Sequence, residues 1–158
     1  MNHEFGLDWG FTNDPSTLIK VATDRDSIYC DEIFYNTGLL NTDIVKLFEA
    51  NNIKKRYDVI IADSSEPKSI EEIYRYDYNI IPSQKGADSV RVGIDRIKSK
   101  ELFVTERSVN MINELENYRW EIDKNGKPTN KPIDAYNHTI DATRYTLEPR
   151  HDFEYKIA

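Results

Sequence analysis

The stretch Asp58-Val59-Ile60-Ile61-Ala62-Asp63 decides the fold. Val59 to Ala62 is a short, continuous apolar run rich in β-branched residues, the pattern of a central strand buried on both faces. Asp63 follows it directly, at the carboxyl end where open α/β sheets gather their ligands. Upstream, Asn41 or Thr42 can cap a helix whose apolar positions Ile44, Val45, Leu47 and Phe48 have helical spacing. Further back, Thr17 to Ala22 and Ser27 to Tyr35 read as strands joined by the polar loop Thr23-Asp24-Arg25-Asp26, an antiparallel hairpin. Glu4 to Phe11 alternates, with Phe5, Leu7 and Trp9 on one face and Gly6, Asp8 and Gly10 on the other. With the turn at Asn13-Asp14-Pro15, this opening is a three-strand antiparallel meander.

Downstream of Asp63, Ser65-Glu66-Pro67 is a helix start with proline in the first turn. Its helix runs near Lys68 to Arg75 and leads to a strand at Tyr78 to Pro82. A helix over Ser89 to Lys98, a strand at Leu102 to Val104 and a helix from Glu106 to about Asn117 follow. Asn125-Gly126 marks a hairpin turn within Trp120 to Lys131. A last helix spans roughly Ala135 to Leu147 and stops before Pro149. A meander followed by alternating helices and strands predicts an α/β fold, with parallel strands added to the meander and helices on both faces of a mixed sheet.

The chain has 158 residues and no Pro/Gly/Ser linker, repeat or low-complexity tract, so residues 1–158 read as a single domain. Its single cysteine, Cys30, rules out an internal disulfide framework; its apolar strand neighbours mark it as core. No apolar run approaches the length of a membrane span, and no basic segment followed by an apolar one marks a signal peptide. Ten Tyr, six Phe and two Trp supply apolar surface that argues against disorder. The net charge of −7 weighs against a general nucleic-acid binder.

Two aspartates stand out. Asp8 lies inside the first strand with Gly6 and Gly10 on its own face, and glycine in a strand often marks a close approach of ligand or backbone. If the Val59–Ala62 strand pairs in parallel with the first, Asp8 and Asp63 come side by side. Taken alone, each has a simpler reading: Asp8 faces solvent on an edge strand, and Asp63 starts a turn. The third element is Asn137-His138-Thr139-Ile140-Asp141-Ala142-Thr143-Arg144-Tyr145. His138 and Asp141 are neighbours on one helical face, and Arg144 continues it, where it could pair with Asp141. Carboxylates crowded together resist ionising, and a divalent cation with a preference for hard oxygen ligands removes that penalty.

These residues carry a resemblance. Phe5-Gly6-Leu7-Asp8-Trp9-Gly10-Phe11 with Asn13-Asp14-Pro15 resembles the opening of the nuclease domain of phage terminase large subunits. Ile61-Ala62-Asp63-Ser64-Ser65-Glu66-Pro67-Lys68-Ser69-Ile70 resembles that family's second acidic motif. Lys85-Gly86, Ser89-Val90 and Gly93-Ile94 are similar to its next segment. Tyr118-Arg119-Trp120, Asp123-Lys124-Asn125-Gly126 and Asn137 to Tyr145 are similar to its end. The likeness runs over nearly the whole chain, in the family's order.

The resemblance implies an RNase H-like fold and two-metal cleavage of double-stranded DNA during viral genome packaging. It places Asp8, Asp63 and Asp141 on the family's metal-binding carboxylates and His138 on its active-site histidine. The expected cofactor is Mg2+ or Mn2+, two ions. The expected partners are double-stranded DNA, the ATPase domain of the same full-length protein, the small terminase subunit and the portal, in the host cell cytoplasm and with no membrane. The chain has no G-x-x-x-x-G-K-[ST] phosphate loop, so the expectation is an excised C-terminal domain lacking the motor, with Met1 added. Lys85, with Lys98, Lys100 and Arg107, is the candidate basic rim for DNA. Two other readings stay open at this point: another RNase H-like nuclease, such as a resolvase or hybrid nuclease, and an inert docking domain of the packaging complex.

Overall fold

The computed structural model describes residues 1–150 other than Phe11 and Ala87. A six-stranded sheet in the order β5-β4-β1-β2-β3-β6 forms its centre. Strands β1 (His3–Asp8), β2 (Pro15–Thr23) and β3 (Ser27–Thr37) make the antiparallel meander, and β4 (Val59–Ala62) and β5 (Asn79–Pro82) add in parallel beside β1. On the opposite edge, β6 (Glu101–Val104) runs parallel to β3. Strands β7 (Trp120–Ile122) and β8 (Pro128–Pro132) form a separate hairpin.

Side chains alternate across the sheet and divide the core in two. Phe5, Leu7, Leu18, Phe34, Ile60 and Ile80 pack against Ile44, Val45 and Phe48 of α1 (Asn41–Ala50) and Ile73 of α2 (Pro67–Tyr74). On the other face, Ile19, Val21, Ile28 and Cys30 pack against Met111 of α4 (Val109–Asn117) and Ala142 of α5 (His138–Thr146). Helix α3 (Ser89–Lys98) lies beside α5 on that face. Cys30 is 2% exposed, in keeping with its reading as core.

The expected elements are all present, with shifts at their ends. The first strand stops at Asp8 instead of continuing to Phe11, which lies outside the described residues. Asn41 and Thr42 do not cap α1: its first turn is closed at Leu40, whose amide donates to Asp43 Oδ2 at 2.8 Å. The Asn41 side chain instead reaches α2, donating to Ser69 Oγ and Glu72 Oε2. Helix α4 begins at Val109, not Glu106, because the residues before it are held by β3: Arg107 pairs with Asp31 and Ser108 Oγ accepts from the Glu32 amide. Helix α5 begins at His138, not Ala135, since Tyr136 adopts a left-handed backbone (φ 54°) that interrupts a helix.

Candidate active site

Parallel pairing of β1 and β4 sets the site. Leu7 stands opposite Ala62, and the Asp63 amide continues the ladder by donating to Leu7 O at 3.0 Å. Asp8 and Asp63 therefore leave adjacent strand ends side by side. The Trp9 indole fastens the two ends by donating to Asp63 O at 2.9 Å. Asp8 is 6% exposed, so it does not face solvent on an edge strand.

Helix α5 brings the third carboxylate. It crosses β1 at Gly6, where a Cβ would lie 1.8 Å from the Ala142 carbonyl oxygen. The close approach read from Gly6 is thus the backbone of a helix, and at Gly10 it is the backbone of Asp14 and Pro15. At this distance α5 lies over Asp8, with its first and last turns both reaching the carboxylate. His138 Nδ1 lies 3.2 Å from Asp8 Oδ2, and the Tyr145 hydroxyl donates to Asp8 Oδ1 at 3.1 Å. Burial pushes the Asp8 carboxyl up to about 6; the His138 hydrogen bond opposes this and the Asp141 charge adds to it. The same hydrogen bond to Asp8 raises the His138 imidazole. Asp8 and His138 together therefore hold a proton more firmly than either would in water.

Asp141 is also raised, by burial, against the pull of Arg144. Arg144 donates to Asp141 Oδ1 from Nε at 3.0 Å and from Nη2 at 2.8 Å, the pairing open on sequence grounds. It is 5% exposed and threads over Gly93 of α3, where a Cβ would come within 2.6 Å of its Cδ. Asp63 is turned to its own loop, accepting from the Ser65 amide at 3.0 Å and the Ser65 hydroxyl at 2.7 Å.

Among the described residues no three His, Cys, Asp or Glu side chains converge on one ion-sized point. Each carboxylate is turned to a partner of its own: Asp8 to His138 and Tyr145, Asp141 to Arg144, Asp63 to Ser65. The donor set still has the character of a site for a hard divalent cation. It consists of carboxylates, with Asp8 buried and Asp141 half-buried in a setting that penalises their charge, and with Asp141 and Asp8 repelling each other.

Four residues near the site carried no assignment in the sequence reading. Tyr145 is buried, and its hydroxyl is pushed far up by burial and by the charges of Asp8, Asp141 and Asp63. Its position four residues after Asp141 was the available signal. Ser65 is an Asx-turn partner two residues after an aspartate, also a local signal. Glu114 is 1% exposed and accepts from the Thr139 amide, the Thr139 hydroxyl and the Tyr35 hydroxyl, holding the start of α5. Asp14 Oδ1 lies 3.8 Å from His138 Nε2. Neither of these last two is legible from local sequence.

The basic residues do not form one rim. Lys85 follows β5 and lines a cleft with Arg96, Arg144 and Glu148. Lys100 precedes β6 on the far edge and donates to Asp24 O at the opposite end of the sheet. Arg107 is spent on Asp31.

A mixed sheet whose meander is extended by parallel strands, with acidic residues at the ends of β1 and β4 and a third on a helix crossing them, defines an RNase H-like domain. The family model described as the terminase RNase H-like domain matches residues 8–149, and the chain belongs to that family. It is 37% identical over 154 residues to the terminase large subunit of Bacillus phage SPP1, covering 90% of this chain and 35% of that protein. It is 27% identical over 156 residues to the PBSX phage terminase large subunit of Bacillus subtilis strain 168, covering 97% of this chain and 34% of that one. The chain thus spans about a third of the length of these curated relatives. The crystal structure of the SPP1 large terminase nuclease domain with bound manganese matches with a TM-score of 0.84 and 32% identity, over 93% of this chain and 85% of that one.

Proposed function

We propose that this domain is a divalent-metal-dependent endonuclease that cleaves double-stranded DNA during viral genome packaging. The observation that carries the reading is that Asp8 and Asp63 follow adjacent parallel strands to their carboxyl ends, with Asp141 of α5 near enough for its charge to act on Asp8. Asp8, Asp63 and Asp141 would hold Mg2+ or Mn2+, in two sites; the manganese named for the SPP1 nuclease domain supports that class of ion. When bound, a pair of such ions activates water and stabilises the leaving oxygen of a phosphodiester.

The chain's own residues have separate tasks. Burial of Asp8, and the partial burial of Asp141, limit the screening of their charge by water. To His138, 22% exposed at its side chain and hydrogen-bonded to Asp8, we assign the proton for the departing oxygen. Lys85, which follows β5, would contact phosphate as a point charge. Two-thirds of the relatives' length lies outside this chain. We place the ATPase motor there, with this chain as the C-terminal nuclease unit, and take the small terminase subunit and portal as partners of the full-length protein in the host cytoplasm. Among the described residues no helix is long and apolar enough to cross a membrane.

Incubation of supercoiled plasmid with the chain tests the reading. Nicking and linearisation in Mn2+ or Mg2+, blocked by chelator and indifferent to ATP, are expected. A plasmid that stays supercoiled in both ions contradicts it.

A further inference from the structure

The phenol of Tyr145 has no place among the groups so far given a task, yet it touches the most buried of the site carboxylates. Its hydroxyl donates to Asp8 Oδ1 at 3.1 Å while His138 sits 3.2 Å from Asp8 Oδ2, so each oxygen of that carboxylate is held from the α5 side. The ring is 8% exposed and carries Arg144 over its face at 5.5 Å, so it has little freedom to swing away. Burial and the charges of Asp8, Asp141 and Asp63 push its own ionisation far up.

We infer that Tyr145 is a positioning residue for Asp8, fixing the carboxylate so that its remaining lone pairs face Asp63 and Asp141. This rests on the metal-dependent reading above and adds to it the group that orients one ligand. A hydrogen bond behind a metal ligand fixes its direction, and losing such a bond typically costs about 10–100-fold in affinity or activity. Tyr145 stands four residues after Asp141, so one turn of α5 supplies both a carboxylate and the group that aims its neighbour.

The test is calorimetric titration of the chain with MnCl2. Tyr145→Phe keeps the ring and removes the hydroxyl. With folding verified by circular dichroism, it is expected to bind Mn2+ about 10–100-fold more weakly than the parent. In an Asp8→Asn background the same change should have no further effect, because the phenol acts through that carboxylate. A folded Tyr145→Phe with parental affinity overturns the assignment, as does an equal loss in the Asp8→Asn background. A parent that binds no Mn2+ overturns the assignment and the metal-dependent reading together, which separates the two failures. Should Tyr145→Phe not fold, proton NMR of the parent decides. The Tyr145 hydroxyl resonance should shift as Mg2+ is added, and an unmoved resonance in saturating Mg2+ contradicts the inference.

Discussion

Gly6 and Ala142 meet backbone to backbone: a side chain on Gly6 would lie 1.8 Å from the Ala142 carbonyl oxygen and 2.5 Å from its carbonyl carbon. No rotamer relieves that contact, because both atoms are main chain. The closeness lets α5 place His138, Asp141 and Tyr145 over Asp8, so packing and chemistry share one requirement. Gly6→Ala should therefore cost at least about 3 kcal/mol, the upper range for overpacking a close-packed interior, and should lower cleavage in whatever fraction stays folded. Urea unfolding measures the first; a loss below about 1 kcal/mol would mean that α5 can lift without penalty.

The Asp8–His138 pair gives the metal-free protein a distinctive pH dependence. Folded Asp8 titrates near 6 instead of 3.8, and His138 is also raised, so the folded state binds more protons than the unfolded chain. Stability must then rise as pH falls from about 7.5 towards 5, by an amount on the order of 2 kcal/mol. Asp8→Asn removes the charge and the partner of His138, so its melting temperature should exceed the parent's at pH 7.5 and vary little over this range. Millimolar Mn2+ should stabilise the parent more at pH 7.5 than at pH 5.5, because protons compete for the same oxygens. Thermal scans at the two pH values, with and without Mn2+, check all three expectations; a parent less stable at pH 5.5 than at 7.5 without metal contradicts the assignment.

The Asp141 carboxyl is raised like that of Asp8, but its partner is a permanent charge, and that decides the effect of its removal. It faces a guanidinium that is 5% exposed, and Asp141→Asn leaves that charge buried without its counterion. Breaking such a pair costs roughly 3–5 kcal/mol, whereas replacing both members can restore stability. Asp141→Asn should be destabilised in urea and Asp141→Asn/Arg144→Met partly recovered, with neither variant cleaving DNA. A neutral single substitution would show that the pair is solvated.

His138 separates binding from rate. Its Nδ1 is engaged by Asp8, which favours a role in proton movement over direct ligation. His138→Ala should lower the cleavage rate roughly 10²–10⁴-fold even in saturating Mn2+, beyond the loss of about 10–100-fold in Mn2+ affinity expected from removing a hydrogen bond to Asp8. Single-turnover cleavage alongside calorimetry distinguishes the two, and an unchanged rate removes His138 from the site.

Much of this was legible in the sequence because it is local. Helix α3 runs over Ser89–Lys98 as its periodicity requires, and Val59–Ala62 is the buried strand that its β-branched run announces. The parallel pairing that joins Asp8 to Asp63 was a condition left open by the two short strand patterns, and β1 and β4 meet it. What stayed hidden depends on contacts between distant residues. The start of α4 is set by Asp31 and Glu32 on β3, more than seventy positions away in the chain. The end of Asp8 that Tyr145 grips, and the hold of Glu114 on the first turn of α5, exist only once α5 has docked on the sheet. The scattered lysines are of the same kind: composition counts them, but the sheet places Lys85 and Lys100 at opposite edges and opposite ends.

The most direct measurement is plasmid cleavage in Mn2+ by the parent chain and by Asp63→Asn, each with and without chelator. Asp63 is the apt choice because its carboxylate is turned to the Ser65 amide and hydroxyl at the rim of the site, so the amide variant should fold like the parent. The account predicts nicked and linear DNA from the parent with metal, none with chelator, and none from Asp63→Asn under either condition. Near-parental cleavage by a folded Asp63→Asn would contradict it.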